Sequence, residues 1–431
     1  MANEGSSAPT TGAMLRAYLL ALRGIGPFLP GYLQRRLKRG REDPARWREK
    51  LGEAGLSRPD GTVVWFHAVG LGEVMALRGL IRAMGEVQPD LSFLVTSSAK
   101  SSALAFASNL PPRTQHQFLP LDSPGPVARF LDHWRPDVSV WAEQDLWPGM
   151  VVAVHNRGIP LALINARMNA RAFAARLRVR SLYRDLYSRF AHISAQDADT
   201  AQHLQALGAH GVSITGSIKA GAGPLAVQPE KRAALSAALA ERRPWCAASS
   251  HAADEAVAIA AQAALFAGDP ARLLIIAPRD PARREEIIAA CVAAGLSVAI
   301  RSQGDLPRAS DAVYLADTFG EMGLWYRLCP VALVGGGLGD TGGHNPWEPA
   351  HLGCAVLHGP NVVNFAGDYA ALHAAGSATE VADVTGLLAA LSDPDLPEIA
   401  ARGKALAETG MAGMDQLCHA LLALLPQGNH G

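Results

Sequence analysis

The chain lacks any framework of cysteines. Its five, Cys246, Cys291, Cys329, Cys354 and Cys418, lie far apart with no CxxC spacing, so neither a zinc site nor a disulfide scaffold is indicated and a reducing, cytoplasmic setting fits. It also lacks net charge. Its 39 basic residues stand against 39 acidic ones, which excludes a global positive field for nucleic acid and leaves any basic partner surface to be local. A clean membrane span is missing too: the apolar stretch from Met14 to Leu33 is interrupted by Arg16, Arg23, glycines and two prolines, short of the roughly 20 apolar residues that spanning requires. No small-residue cleavage site follows it, which argues against export, and no short-period repeat is visible.

What is present is a chain of 431 residues, 49% hydrophobic, too long for a single ordinary core and suited to two domains of roughly 200 residues each with a cleft between them. Residues 1–13 are small and polar and read as disordered, with Met14 a candidate start. The Met14 to Leu33 stretch reads as interfacial. Arg35, Arg36, Lys38, Arg39, Arg41, Arg46, Arg48 and Lys50 follow it, a cluster that anionic head groups on a cytoplasmic leaflet would attract. The alternative is an amphipathic helix packed on the protein with a solvated basic face.

From about residue 60, short β-rich apolar runs alternate with longer alanine-rich helical stretches, the pattern of stacked βα units and parallel sheets, an α/β class. Strands are expected at 63–67, 92–96, 138–142, 160–165 and 192–195, and a second series at 246–248, 272–277, 296–300, 313–315, 331–334 and 355–357. The glycine- and proline-containing stretch 215–228 breaks both periodicities and reads as a linker. The expected organisation is a membrane-associating segment over 1–50, one Rossmann-like domain over 51–215 and a second over 216–431, whose final helices are candidates to cross back. In open sheets of this kind ligands bind at the carboxyl ends of the strands, so function is sought in those loops.

Several strand ends carry chemistry. HAVGLGEV (67–74) ends a strand in a glycine turn that opens a helix, but it is neither GxGxxG nor a P-loop, and Glu73 would repel phosphate. Glu73 suits a general base for an acceptor hydroxyl, or it merely complements the helix dipole. WAEQDLWPGM (141–150) offers Glu143 and Asp145 two residues apart, or is a plain strand-end turn. NARMNARAF joins a strand to an arginine-rich helix, where Asn165 and Arg167 are the candidates to reach the crevice. In the second half, AASSHAADE places Ser249, Ser250 and His251 before a helix, either an anion site or an ordinary serine cap. IIAPRDP presents Arg279 to a phosphate or base. GGGLGDTGGHNPWEP (335–349) lets backbone approach a ligand, followed by His344, Asn345 and Glu348. The last suits a pair of ribose hydroxyls.

In order and spacing, HAVGLGEV, LPLDSPGPVARFLDHWRPD, EQDLWP, NARM, GSIK, SSH, APRDP, DTFGEMGLWY, GGHNPWEP and HGPNVVNF resemble the Kdo transferases (3-deoxy-D-manno-octulosonic acid transferases) of lipopolysaccharide inner-core synthesis. The resemblance implies a GT-B fold, two Rossmann-like domains whose parallel sheets face a central cleft, CMP-Kdo held mainly by the C-terminal domain, and a metal-independent inverting displacement onto a lipid A precursor. CMP-Kdo is then a co-substrate and no cofactor or metal is expected. Partners are the lipid precursor and the cytoplasmic face of the inner membrane, not nucleic acid. By resemblance Glu73 is the base and Glu143 a second acid on the acceptor side. Arg279, the loop Gly320, Glu321, Met322 and Gly323, and Gly343, His344, Asn345 and Glu348 are nucleotide-side residues, with Ser250 and His251 near the donor phosphate or carboxylate.

The chain departs from the family pattern at Asp280 (commonly His), Ser217 (often Asn), Gly337 (often Ser), and Asn169-Ala170 (usually Ser-Glu or Ser-Asp). An extra acid beside the donor site bears on how an anionic sugar nucleotide is held. Two other readings stand beside this one. A non-catalytic scaffold with a degenerate cleft predicts eroded acids, whereas Glu73, Glu143 and Glu348 are all present. A UDP-sugar epimerase or another GT-B transferase would be separated by CMP against UDP binding.

Overall fold

The computed structural model describes residues 11–98, 103, 106, 110–143, 146–239 and 241–426. It divides into two compact units, one formed by 1–222 with 412–431 and the other by 223–411. The N-terminal reading over 1–13 falls mostly outside the described residues. Gly12 is described, and its backbone N–H donates to Asp185 Oδ2 at 2.7 Å.

The first unit is built on seven strands: β1 (Val63–His67), β2 (Ser92–Ser97), β3 (Thr114–Phe118), β4 (Val138–Ala142), β5 (Leu161–Ala166), β6 (His192–Ala195) and β7 (Val212–Ile214). They form one parallel sheet in the order β3-β2-β1-β4-β5-β6-β7. The second unit holds β8 (Arg243–Ser250), β9 (Arg272–Pro278), β10 (Val298–Ile300), β11 (Val313–Leu315), β12 (Val331–Val334), β13 (Ala355–His358) and β14 (Ala378–Glu380). These are also parallel, in the order β10-β11-β9-β8-β12-β13-β14.

The continuous apolar runs follow from burial on both faces of each sheet. Successive side chains of a strand point to opposite faces. On β1, Val63 and Trp65 therefore enter one core with Trp134 and Trp141, while Val64 and Phe66 enter the other with Leu77, Leu80 and Met84 of the helix Leu71–Val87. On β8 the same alternation sends Trp245 and Ala247 to one side and Cys246 and Ala248 to the other. The long helix Leu396–Leu422 gives Ile399 and Ala400 to the second unit's core and Met414, Leu417 and Leu421 to the first's.

Strand order reverses between β1 and β4 in the first sheet and between β8 and β12 in the second. Those are the topological switch points, where diverging crossovers leave an open crevice beyond the strand ends. The turns after β1 and β4 carry Glu73 and Glu143, and the turns after β8 and β12 carry Ser249 to His251 and the glycine loop.

Part of the basic N-terminal cluster is committed internally. Buried Glu42 takes Arg36 and, at 2.6 Å, Lys50, while Arg46 makes a two-pronged pair with Glu49 at 2.8 and 2.9 Å. Arg35, Lys38, Arg39 and Arg41 remain on the surface. No helix among the described residues is long and apolar enough to cross a membrane.

Candidate active site

In the first unit, Glu73 is the third residue of the helix Leu71–Val87. Its Oε2 accepts from the amides of Val69 (3.0 Å) and Gly70 (3.1 Å), so the carboxylate satisfies two donors that the helix start leaves open. The dipole-complementing role and a poised carboxylate are thus compatible. Glu143 sits directly after β4 with φ +61°, a left-handed conformation that a non-glycine residue keeps only when its surroundings enforce it. Its N–H donates to Ile164 O at 2.9 Å.

The two carboxyl groups lie close enough to act on each other. Burial first, then the charge of Glu73 and its hydrogen-bonding influence, push the Glu143 carboxyl up to about 7, with Lys219 and Arg167 opposing the rise. Two acids that share a site cannot both ionise cheaply, so Glu143 keeps its proton to higher pH beside the charge of Glu73. Asp145 lies outside the described residues. Arg167 is exposed and acts on Glu143 through charge. Asn165 does not offer its side chain to the crevice: it is 1% exposed, also in the left-handed region (φ +54°), and its Oδ1 accepts from Ile218 N at 3.1 Å. Asn165 therefore anchors the segment that delivers Lys219.

In the second unit, His251 is the N-cap of the helix Ala252–Gly268. Its ring stacks on His344, with 5.1 Å between centroids, and the two Nε2 atoms are 2.9 Å apart. One nitrogen must carry the shared hydrogen and the other must accept it. His344 is held down to about 4 by burial, then by His251 and Arg279, so this ring stays neutral at ordinary pH. Glu348 is raised by burial, and Asn345 and Arg279 counter the rise. Arg279 itself is exposed. His251, Arg279, His344, Asn345 and Glu348 thus converge.

Asp254 organises this group and has no such role in the sequence reading. It is 1% exposed, and its Oδ2 accepts from the amides of His251 (2.9 Å) and Gly336 (2.7 Å) while Oδ1 accepts from Leu338 (3.2 Å). One buried carboxylate joins the helix start to the glycine loop. The signal was present as an acid three residues after a helix N-cap. Gly343 N closes the loop onto Gly336 O at 3.0 Å, and Tyr369 donates to the His344 carbonyl at 3.1 Å.

Chain comparisons decide what this arrangement belongs to. The family profile described as 3-deoxy-D-manno-octulosonic-acid transferase (kdotransferase) matches residues 45–222. A probable mitochondrial 3-deoxy-D-manno-octulosonic acid transferase of Arabidopsis thaliana is 34% identical over 89% of this chain and 89% of its own. The 3-deoxy-D-manno-octulosonic acid transferase of Bordetella pertussis is 32% identical over 85% and 88%.

The chain belongs to the Kdo transferase family. It is a glycosyltransferase, and the readings as a scaffold or an epimerase are set aside. In fold it is similar to the UDP-GlcNAc 2-epimerase of Neisseria meningitidis, with a TM-score of 0.51, 13% identity, and coverage of 84% of this chain and 100% of that one. That likeness concerns the GT-B fold alone.

Other expected site residues of this Kdo transferase have partners of their own. Ser250 is 1% exposed and donates to buried Glu255 at 3.0 Å, which Arg283 neutralises at 2.8 Å, so its hydroxyl points to structure. Glu321 is gripped by both prongs of Arg301 (3.0 Å each), by Lys231 (2.8 Å) and by Thr318 (2.6 Å), and Arg301 foremost holds it down to about 2. Gly320 is in the left-handed region, Met322 packs on the core, and Gly323 lies against the backbone of 225–226.

The departures from the family pattern have local reasons. Asp280 is exposed and its Oδ1 accepts from Ala282 N at 3.0 Å, capping the turn after β9. Asn169 caps the helix Ala170–Leu177 through Ala172 N at 2.8 Å, doing what a serine would do there. Ser217 Oγ accepts from Lys219 N at 3.3 Å. A Cβ on Gly337 would fall 2.8 Å from Gly359 N, so this backbone has no room for the serine common at that position.

Proposed function

We propose that this enzyme moves Kdo from CMP-Kdo to a hydroxyl of a lipid A precursor in lipopolysaccharide synthesis, by a metal-independent inverting displacement on the cytoplasmic face of the inner membrane. The observation that carries the reading is the interacting pair Glu73 and Glu143 at the switch point of the first sheet, in a chain of the Kdo transferase family.

In this reading the Glu73 carboxylate takes the proton of the acceptor hydroxyl as its oxygen bonds to the anomeric carbon of Kdo. The bond from that carbon to the phosphate oxygen breaks, and CMP leaves with the electron pair. A single displacement inverts the centre. Glu143 holds a proton beside the base and tunes it. In the second unit, Arg279 meets the phosphate, Glu348 oriented by Asn345 accepts from the ribose hydroxyls, and His251 together with the neutral His344 lines the donor. Support comes from their convergence and from the cradle that Asp254 fixes.

The membrane part of the reading rests on the N-terminal helices Ala13–Ile25 and Leu29–Lys38. Leu20, Ile25 and Phe28 are exposed at 63, 50 and 73%, next to the free cations Arg35, Lys38, Arg39 and Arg41. Apolar side chains flanked by cations suit the head-group layer. The test is mass analysis of the product formed from CMP-Kdo generated in situ and a tetra-acylated lipid A precursor, with and without chelator. Added Kdo mass unaffected by chelator is expected. No CMP binding by the folded protein would sink the reading.

A further inference from the structure

The helix Pro148–Asn156 begins five residues after Glu143, and its own N-cap residue, Trp147, supplies no side-chain acceptor. Two amides of its first turn are satisfied from elsewhere in the chain. Asp122, 7% exposed, accepts from Gly149 N through Oδ2 (2.9 Å) and from Met150 N through Oδ1 (2.7 Å). The approach is close enough that a Cβ on Gly149 would lie 2.5 Å from Asp122 Oδ1. The same carboxylate receives a third donor, the hydroxyl of Tyr18 at 3.0 Å, from the N-terminal helix Ala13–Ile25. Next to it, Ser123 Oγ donates to Leu22 O at 3.4 Å on that helix.

We propose that Asp122 and Tyr18 are positioning residues for the carboxyl pair, clamping the start of the helix that follows Glu143 and linking it to the seating of the N-terminal helix. Glu143 is held by its sheet hydrogen bond to Ile164, and the clamp fixes the chain again at Gly149 and Met150, which limits how far a left-handed glutamate between them and the strand can relax. The importance of that geometry for catalysis rests on the proposed function. The clamp itself rests on the hydrogen bonds alone. It gives the interfacial segment a role beyond attachment, because any displacement of the helix Ala13–Ile25 pulls on the acid that neighbours the base.

The test uses the full chain with Asp122→Asn and Tyr18→Phe. An asparagine can accept from one of the two amides but turns an NH2 group toward the other, and phenylalanine removes only the hydroxyl. Hydrogen exchange of the Gly149 and Met150 amides is measured first. Both variants should exchange faster, Asp122→Asn more so, by about tenfold or more. Transfer kinetics follow. kcat should fall about 10- to 100-fold in Asp122→Asn with KM for CMP-Kdo unchanged, and the alkaline-side midpoint of the pH profile, where Glu143 gives up its proton, should move from about 7 toward the ordinary carboxyl range as Glu143 leaves Glu73, Lys219 and Arg167. Unchanged exchange at these amides, or a lower melting temperature with the pH midpoint fixed, would overturn the proposal. Faster exchange in a protein whose wild type transfers no Kdo would support the clamp and sink the functional reading instead.

Discussion

Glu143 binds its proton more tightly folded than unfolded, since its pKa rises from 4.5 to about 7. Its contribution to stability is therefore largest below 4.5 and is lost as pH rises toward 7. Glu143→Gln should flatten that part of the stability curve, read as melting temperature against pH, and should remove the alkaline-side limb of the rate profile. Glu321 has the opposite sign: lowered to about 2 by Arg301, it stabilises above 4.5, and that stability fades as pH falls through its folded value. Glu73→Gln keeps an oxygen for the helix-start amides and loses the base, so transfer should drop about 100- to 10,000-fold with melting nearly unchanged. At this scale the sequence was legible where a carboxylate ended a strand. It was not legible at Arg46, Lys50 or Asp254, whose partners are set by burial and by approaches between distant segments.

The strands with apolar runs were readable from alternation and length, within two or three residues at each end. β3 was not, because its sequence TQHQF is mostly polar. Its buried His116 and Gln117 are matched by Ser97 at 2.9 Å and by the Trp134 indole at 2.8 Å, so tertiary partners replace hydrophobic pattern. β7 and β14 are three-residue edge strands with too little sequence to show a period. Among loops, the glycine run before HNPWEP was visible as a ligand approach, but not the carboxylate that ties it down. Asp254→Ala leaves three amides short of an acceptor. It should cost about 2 kcal/mol or more in stability and abolish CMP binding, measured by calorimetry on the folded fraction. Gly337→Ser should also destabilise this chain despite restoring the common family residue, since its side chain would meet Gly359; denaturant unfolding of the two proteins checks this.

For the whole molecule, the proposed function assigns the nucleotide to the second sheet and the acceptor's base to the first. The N-terminal helices add an exposed apolar and basic surface to the first unit. Replacing Leu20 and Phe28 by serine should lower sedimentation with anionic vesicles while leaving CMP binding intact, because both residues belong to the first unit and the proposed nucleotide residues to the second. The proposed function makes Glu73, beside Glu143, the base for Kdo transfer. Its most direct test follows product mass with CMP-Kdo and lipid A precursor for the wild type and Glu73→Gln, with CMP binding measured on both. Kdo added by the wild type, and lost in a variant that still binds CMP, is the predicted result. Undiminished transfer by Glu73→Gln would contradict the account.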